Sequence, residues 1–370
     1  MSTADPDAGA VGHGQPPLPG WTSGPAGPRD VPRLAALRRQ HEEAGRGWAS
    51  TSAEDVAIEV TGRGAATRRH VVVRDDAGTL RGWGTAHDRA AGRTLVSALV
   101  DRGLDDADAD ATAGWLLTWG RGAADGIRRD RGRDSTQLDS GTFAGDERQR
   151  AWLRGAGYTH ARTWWQMSRP VRPDEAGDGV LAPPREGVVI RRVAEAPDGM
   201  PDEQDLRTVH DVLEAAFDDH FNAHTETFEE FCSRLREDPG HRWDHWWLAE
   251  LDDTPGDAPQ PVGALVSTTL LADGGTPEGS YVDYLGVLAA ARGRGVGKSL
   301  LHAVIADAAA RGRDRVGLEV DADSPTGADA FYLAMGFTTR YVTESWHAEL
   351  RAAVPDRHGA VPDRHSAAPD

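Results

Sequence analysis

The sequence predicts an α/β (α+β) protein that contains two similar domains in tandem. Short apolar runs with the character of β-strands alternate with runs whose apolar residues recur at helical spacing. In the C-terminal half, a strand, a glycine-rich loop and a helix follow one another directly over residues 281–310. The order of the predicted elements occurs twice, and a chain of 370 residues is long enough for two domains of ordinary size.

The first copy is assigned to residues 20–170. It follows a segment, residues 1–19, that is rich in Gly, Pro, Ala and Asp and is predicted to be disordered. Its predicted elements are a helix at 31–43, a segment of uncertain type at 56–60, strands at 70–74, 80–86 and 94–100, and helices at 111–129 and 146–153. A linker rich in Pro, Gly and Asp is predicted at residues 171–187.

The second copy is assigned to residues 188–351, and the remaining residues, 352–370, are predicted to form a disordered tail. Thr227 and Glu230 form a capping-box pattern that predicts a helix start. The predicted elements are strands at 188–193, 246–251, 262–271, 281–288 and 315–321, and helices at 202–217, 227–235 and 298–310. A short helix is expected to end just before Gly336.

A repeat relates the two copies. The segment Arg-Gly-Arg-Asp at 131–134 recurs 180 residues later at 311–314, and Gly157-Tyr158 is followed 179 residues later by Gly336-Phe337. Strands that carry tryptophan follow in both copies. A repeat of this length indicates two copies of one domain rather than a solenoid.

The glycine loop is the most informative stretch. Gly293, Gly295 and Gly297 allow the main chain to approach a ligand closely. The following helix directs its free N–H groups and the positive end of its dipole toward the same space. The loop therefore predicts an anion site, and a phosphate group suits it best.

Three phosphate-binding motifs compete for this loop, and spacing separates them. The dinucleotide pattern G-x-G-x-x-G fails because the third glycine comes one residue early. The P-loop pattern fails because its first glycine falls on Arg292. The pattern R-x-x-G-x-G fits residues 292–297 without adjustment. After a strand, this pattern resembles motif A of the GNAT superfamily of acyl-CoA-dependent N-acyltransferases.

A second landmark strengthens the resemblance. Tyr332, with Gly336-Phe337 four residues later, is similar to the short helix and turn that follow motif A in the family. The resemblance covers about residues 188–350, and it implies for each copy a mixed, mostly antiparallel sheet flanked by helices. The tandem layout is also similar to that of the mycothiol synthases, whose C-terminal domain is the active one.

The resemblance implies acetyl-CoA as co-substrate and no metal. In the family, the loop amides hold the CoA pyrophosphate, and the strand before the loop splays from its neighbour to bind the pantetheine arm. The matching cofactor-binding positions are Leu285, Gly286, Val287, Leu288, Arg292, Gly293, Arg294, Gly295, Val296, Gly297, Lys298, Ser299, Ser324 and Phe331.

Three catalytic residues follow from the same resemblance. Tyr332 matches the family's usual general acid, although a tyrosine that only anchors a helix on the sheet is the alternative. Asp283 lies four residues before Val287, where some members carry the base, and Glu319 on the adjacent strand is the other candidate. Both carboxylates could instead be solvated strand residues.

The first copy departs from the motif where chemistry would occur. In place of the glycine loop it has five aspartates between residues 101 and 110. These suit a helix N-terminus but would repel a pyrophosphate. Leu153 stands where the second copy has Tyr332. The first copy is therefore predicted to have lost cofactor and catalysis, and to keep a structural or substrate-shaping role.

The acceptor is predicted to be a primary amine of a small molecule. In the family the first helices and the loop between them wall the acceptor cleft, and here that loop offers Asp218, Asp219, His220 and His224. The two histidines have the spacing of metal ligands on a helix, but no third ligand is evident. A longer acyl-CoA, a protein amine, and a module that binds acyl-CoA without turnover remain alternatives.

The amino-acid composition limits which other partners and cellular locations are expected. The net charge of −18 argues against nucleic acid or an anionic membrane as partner. The single cysteine, Cys232, excludes an internal disulfide and is expected to be a packed thiol. With no apolar run of membrane length and no leader-like start, we expect a cytoplasmic protein, monomeric or homodimeric.

Overall fold

The computed structural model of the protein describes residues 15–89, 92–196, 200–217, 226–238, 240–252, 258–271, 277–323 and 327–352. The strands within them are β1 (Thr22–Gly24), β2 (Arg68–Arg74), β3 (Leu80–Asp88), β4 (Arg93–Val100), β5 (Ser135–Phe143), β6 (Thr159–Pro170), β7 (Val188–Arg192), β8 (His241–Leu251), β9 (Gln260–Leu270), β10 (Gly279–Val287), β11 (Arg315–Asp321) and β12 (Thr338–Arg351). The helices are α1 (Val31–Arg46), α2 (Ala53–Val60), α3 (Asp106–Asp130), α4 (Glu147–Gly155), α5 (Glu203–Phe217), α6 (Phe228–Arg236), α7 (Val296–Ala310) and α8 (Ala328–Ala334). Each of these helices is too short or too polar to cross a bilayer.

The local signals in the sequence account for most element boundaries. The segment at 56–60, of uncertain type from the sequence, belongs to helix α2. Helix α3 begins at Asp106, five residues earlier than predicted, because the Asp105 side chain accepts a hydrogen bond from a first-turn N–H group. The capping box of Thr227 and Glu230 at the start of α6 is confirmed.

The strands of the described residues form one sheet, in the order β1-β2-β3-β4-β5-β12-β6-β11-β10-β9-β8-β7. The first copy supplies β1 to β6, and the second supplies β7 to β12. From either edge of the sheet, the first five strands of a copy lie in sequence order, and its sixth strand lies beyond the last strand of the other copy. The pairs β4–β5 and β10–β11 are parallel, and the other neighbours are antiparallel. The predicted mixed, mostly antiparallel pairing is confirmed, but the two copies share one sheet, whereas the sequence predicted a sheet for each copy.

The copies exchange their last strands. Strand β6 of the first copy pairs with β11 of the second, with Met167 opposite Leu318. Strand β12 of the second copy pairs with β5 of the first, with Trp346 opposite Ser140. The two exchanged strands also pair with each other at the centre of the sheet. Each copy is therefore completed by a strand from the other.

The exchanged strands carry core residues. Met167 is buried in the cluster that packs α7 against β8 to β11. Trp346 and Leu350 are buried in the cluster beneath α3. Burying a side chain of this size contributes about 1.5–3 kcal/mol. Separating the copies would open both cores, so the tandem protein packs as one unit.

A divergence of two parallel strands creates the site. Strands β10 and β11 pair from Ser280 opposite Val316 to Val282 opposite Leu318 and then separate. On its other side, β10 has a register shift against β9 between Val282 and Tyr284. The first copy has the same divergence between β4 and β5, but its β3–β4 register is continuous. The shift places one extra residue, Asp283, on β10.

Candidate active site

A cavity of about 1360 Å³ lies between the two diverging strand pairs. Its wall includes β10, β11, the glycine loop and parts of α5, α6 and α8 from the second copy. The first copy contributes residues of β4 and β5 and the side chain of Arg89. The volume exceeds the usual range for a drug-sized ligand, so an extended co-substrate and a second substrate both fit within it.

The glycine loop has the predicted anion-binding form. Gly293 has φ +81° and Gly295 has φ +83°, a region in which other residues are strained. The first intrahelical bond of α7 is from the N–H of Ser299 to the carbonyl of Gly295. The preceding N–H groups, at 296–298, lie at the positive end of the helix dipole. The loop can therefore bind a phosphate with main-chain donors.

Arg185, which the sequence analysis did not single out, lies across this loop. Its Nη1 donates to the carbonyl of Gly293 at 2.8 Å, and its Nε lies 3.2 Å from where a Cβ on Gly295 would be. The residue comes from the segment between the copies, where no local pattern identifies it. It places a guanidinium beside the anion site.

Asp283 occupies the register shift of β10 and lies in the cavity wall. Burial raises the pKa of this carboxyl to about 8, and the nearby Asp238 adds to the increase. A hydrogen bond with Thr268 and the charge of Arg234 act in the opposite direction. Within the described residues, Asp283 Oδ2 is buried with no hydrogen-bond partner. An acceptor amine could supply that partner.

Glu319 lies on β11, directly after the point where the strands diverge. Its Oε2 accepts a hydrogen bond of 2.8 Å from Gln166 Nε2, and Gln166 also contacts Thr343 Oγ1 and accepts from Tyr281 OH. The side chain is open to the cavity, yet protein surrounds much of it, and this desolvation raises its pKa. Gln166 belongs to β6, so an exchanged strand of the first copy orients a candidate base.

Tyr332 lies on α8 and also lines the cavity. Its ring contacts the rings of Phe331 and Phe337, with centroids 5.2 and 5.9 Å away. Burial raises the pKa of its hydroxyl to about 12, so the group stays a proton donor at neutral pH. The ring contacts also anchor α8 on the sheet, so one side chain can serve the catalytic and the structural role.

The other predicted cofactor residues divide into three groups. Those that line the cavity are Leu285, Gly286, Val287, Arg292, Gly293, Gly295, Val296, Gly297, Lys298 and Phe331. Three lie outside its wall and have main-chain partners: the N–H of Leu288 donates to Val262, the N–H of Arg294 to Ala291, and the hydroxyl of Ser299 to Gly295. Ser324 and the predicted acceptor residues Asp218, Asp219, His220 and His224 lie outside the described residues.

In the first copy, protein side chains occupy the divergence of β4 and β5. Gln149 Nε2 donates to the carbonyl of Ala98 at 3.3 Å, and a ring nitrogen of buried His41 contacts the carbonyl of Val100 at 2.8 Å. Leu153, at the position of Tyr332, is buried. These contacts use main-chain groups of β4 that would face a pantetheine arm.

Comparison with known proteins gives a consistent result. Residues 208–337 match the acetyltransferase (GNAT) family. The GCN5-related N-acetyltransferase of Sphaerobacter thermophilus is 22% identical, with 91% of this chain and 98% of that chain covered at a TM-score of 0.69. A tandem GNAT protein from the clavulanic acid biosynthesis pathway is 16% identical, with 89% and 98% covered at a TM-score of 0.64. No curated protein matches the sequence. At these identities the solved structures establish the fold, while the resemblance to mycothiol synthases stays a prediction.

Proposed function

We propose that this protein is an acyl-CoA-dependent N-acetyltransferase, because residues 208–337 match the GNAT acetyltransferase family. It moves acetyl from acetyl-CoA to a primary amine of a small molecule, by direct attack of the amine on the thioester. The observation that carries the proposal is one cavity lined by the glycine loop, a diverging strand pair and the side chains of Asp283, Glu319 and Tyr332.

The glycine loop and β10 would hold the donor. The N–H groups at 296–298 and the guanidinium of Arg185 suit the pyrophosphate of CoA. The main chain of 285–287 lies along the cavity where the strands diverge, and it can pair with the amides of the pantetheine arm. An N–H group there can also donate to the thioester oxygen as negative charge develops on it.

Asp283 is the base that we favour. In its ionised form, Asp283 can accept a proton from the ammonium group through its buried Oδ2, whereas Glu319 is already held by Gln166. Because the pKa is about 8, the ionised form becomes the major one only above about pH 8. The neutral amine then forms the N–C bond while the C–S bond breaks. Tyr332, protonated at neutral pH, gives its proton to the departing thiolate. The acylated nitrogen loses its extra proton, which restores the tyrosine hydroxyl, and Asp283 releases the first proton to solvent.

Calorimetric titration with acetyl-CoA tests the proposal. We expect one site per chain, abolished in Gly295→Asp, because this change strains the positive φ and places a carboxylate at the anion site. Gly132→Asp is the matched control, since Gly132 also has a positive φ but stands in open space at the end of α3. Absence of binding would overturn the proposal, and two sites would refute the predicted loss of cofactor binding in the first copy.

Turnover is then measured as CoA release with a panel of amines and acyl-CoA chain lengths. A thiol reagent can report the released CoA, because burial raises the pKa of Cys232 to about 11 and shields the protein's own thiol. Faster CoA release from a longer acyl-CoA than from acetyl-CoA would show that the longer acyl-CoA is the preferred donor. Binding without release for any amine would indicate an acyl-CoA-binding module.

A further inference from the structure

Arg89, from the end of β3 in the first copy, extends a cation into the active-site cavity of the second copy. Its electrostatic neighbours include Tyr284 on β10, Glu319 on β11, Arg234 on α6, and Glu226 just before α6. Tyr284 directly follows Asp283 on β10, and Glu319 is the other candidate base, so Arg89 lies near the candidate proton-transfer groups. The glycine loop, where the phosphates of CoA are expected, comes after the end of β10 at Val287.

Arg93 and Arg234 of the cavity wall already have partners, and Arg292 is exposed to solvent. Arg93 forms an ion pair with Asp139 at 2.7 Å. Arg234 is paired with Glu226 at 2.6 Å and donates to Tyr284 OH at 2.9 Å. By contrast, no ion pair or hydrogen bond of the Arg89 guanidinium is found within the described part of the chain.

A desolvated guanidinium with unused donors is costly unless an anion pairs with it. Burial and the positive charge of Arg234 lower the pKa of Arg89. The side chain nevertheless stays charged at neutral pH, because an arginine remains protonated in proteins. The site is therefore suited to receive an anion, and its position assigns that anion to the acceptor.

The position of Arg89 is fixed by contacts between the copies. The preceding residue, Asp88, accepts from Arg131 Nε at 2.7 Å, and Arg131 Nη1 donates to Glu230 of α6 at 2.9 Å. Glu237, just after α6, pairs with Arg68 and accepts from Thr67 of the first copy. The end of β3 is thus attached to the helix that walls the cavity.

We propose that Arg89 binds a carboxylate of the acceptor, so that the acceptor is an amine of the amino-acid class. This inference rests on the proposed acetyl transfer and names its substrate class. A carboxylate can accept two parallel hydrogen bonds from the guanidinium. It also carries one charge, whereas a doubly charged phosphate would meet stronger repulsion from the carboxylates of Glu226 and Glu319. The first copy would then complete the active site of the second.

The first test compares amino acids with their α-amides, which lack the carboxylate. For the wild type we expect kcat/KM to be about 10- to 100-fold higher with the preferred amino acid than with its amide. Arg89→Gln should remove this difference by lowering kcat/KM for the amino acid alone. Arg351→Gln, at an exposed position on β12, removes the same charge and should behave as wild type.

A second measurement separates this inference from the acetyl-transfer proposal. Calorimetric binding of the same amino acids, in the presence of CoA and without turnover, should be lost in Arg89→Gln and kept in Arg351→Gln. That result supports the Arg89 site even if no acetyl transfer occurs. Equal kcat/KM for amino acids and amides, or a panel in which no amino acid binds or reacts, would overturn the inference. Preference for aminophosphonates would identify phosphate as the anion and refute the carboxylate.

Discussion

Replacing Asp283 by Asn should raise the free energy of unfolding and lower kcat. Burial raises the pKa of the carboxyl from 3.8 to about 8, and a tenfold change in an ionisation constant corresponds to about 1.4 kcal/mol. The unfolded chain releases this proton near pH 4, whereas the native protein keeps it until about pH 8. Because the native state binds more protons between these values, stability contributed by this group falls as pH rises through that window.

Asparagine does not ionise, so the stability contributed by this position in Asp283→Asn does not change with pH. Ionisation of the aspartate in the unfolded chain disfavours folding by roughly 4 kcal/mol at pH 7, and cavity water reduces this figure. We therefore expect Asp283→Asn to be more stable than the wild type by about 2–4 kcal/mol at pH 8 and nearly equal at pH 4. In the same variant kcat should fall by about 10²- to 10⁴-fold, the usual scale for loss of a general base.

Urea unfolding at several pH values and the pH profile of kcat/KM measure the two effects. The wild-type profile should rise with pH toward a plateau above about pH 8, and this limb should disappear in Asp283→Asn. Glu319→Gln is the matched control, because it alters the other candidate base. Wild-type turnover in Asp283→Asn, with the rising limb below about pH 8 lost only in Glu319→Gln, would refute the assignment. Loss of stability together with activity would indicate a purely structural aspartate.

Two further predictions concern the acid and the exchanged strands. Tyr332→Phe should lower kcat by about 10²- to 10⁴-fold and leave acetyl-CoA affinity intact, because the ring contacts remain and only the proton donor is removed; steady-state kinetics with calorimetry measures both, and unchanged turnover would rule out the acid. Trp346→Ala should destabilise the protein by about 3–5 kcal/mol, because it empties a buried site in the core of the first copy. Thermal unfolding should show one transition in which acetyl-CoA binding is lost together with the fold, with exposed Trp48→Ala as control. Two separate transitions would contradict a shared core.

Local physical rules let the sequence predict the fold class and part of the site. The three glycines of the loop predict a main chain that a ligand can approach, and Gly293 and Gly295 adopt the positive φ that glycine permits. The start of α6 can be read from the capping box at Thr227. The repeat predicts two copies, because two segments of the first copy recur in the second copy at nearly the same interval, 180 and 179 residues later. Tyr332 and Asp283 could be named because they lie at fixed intervals from the glycine loop.

Only the tertiary structure decided which strands pair at the centre of the sheet. The periodicity of β6 and β12 identifies them as strands, but a pattern of period two is the same for any partner. Their exchange brings Gln166 to Glu319, across more than 150 residues of sequence. The sequence around Arg89 likewise does not distinguish it from other arginines that follow a strand. Its position in the cavity depends on the packing of α6 against the first copy. The pKa of Asp283 depends on burial by residues from several elements, and the amino-acid sequence alone does not specify that environment.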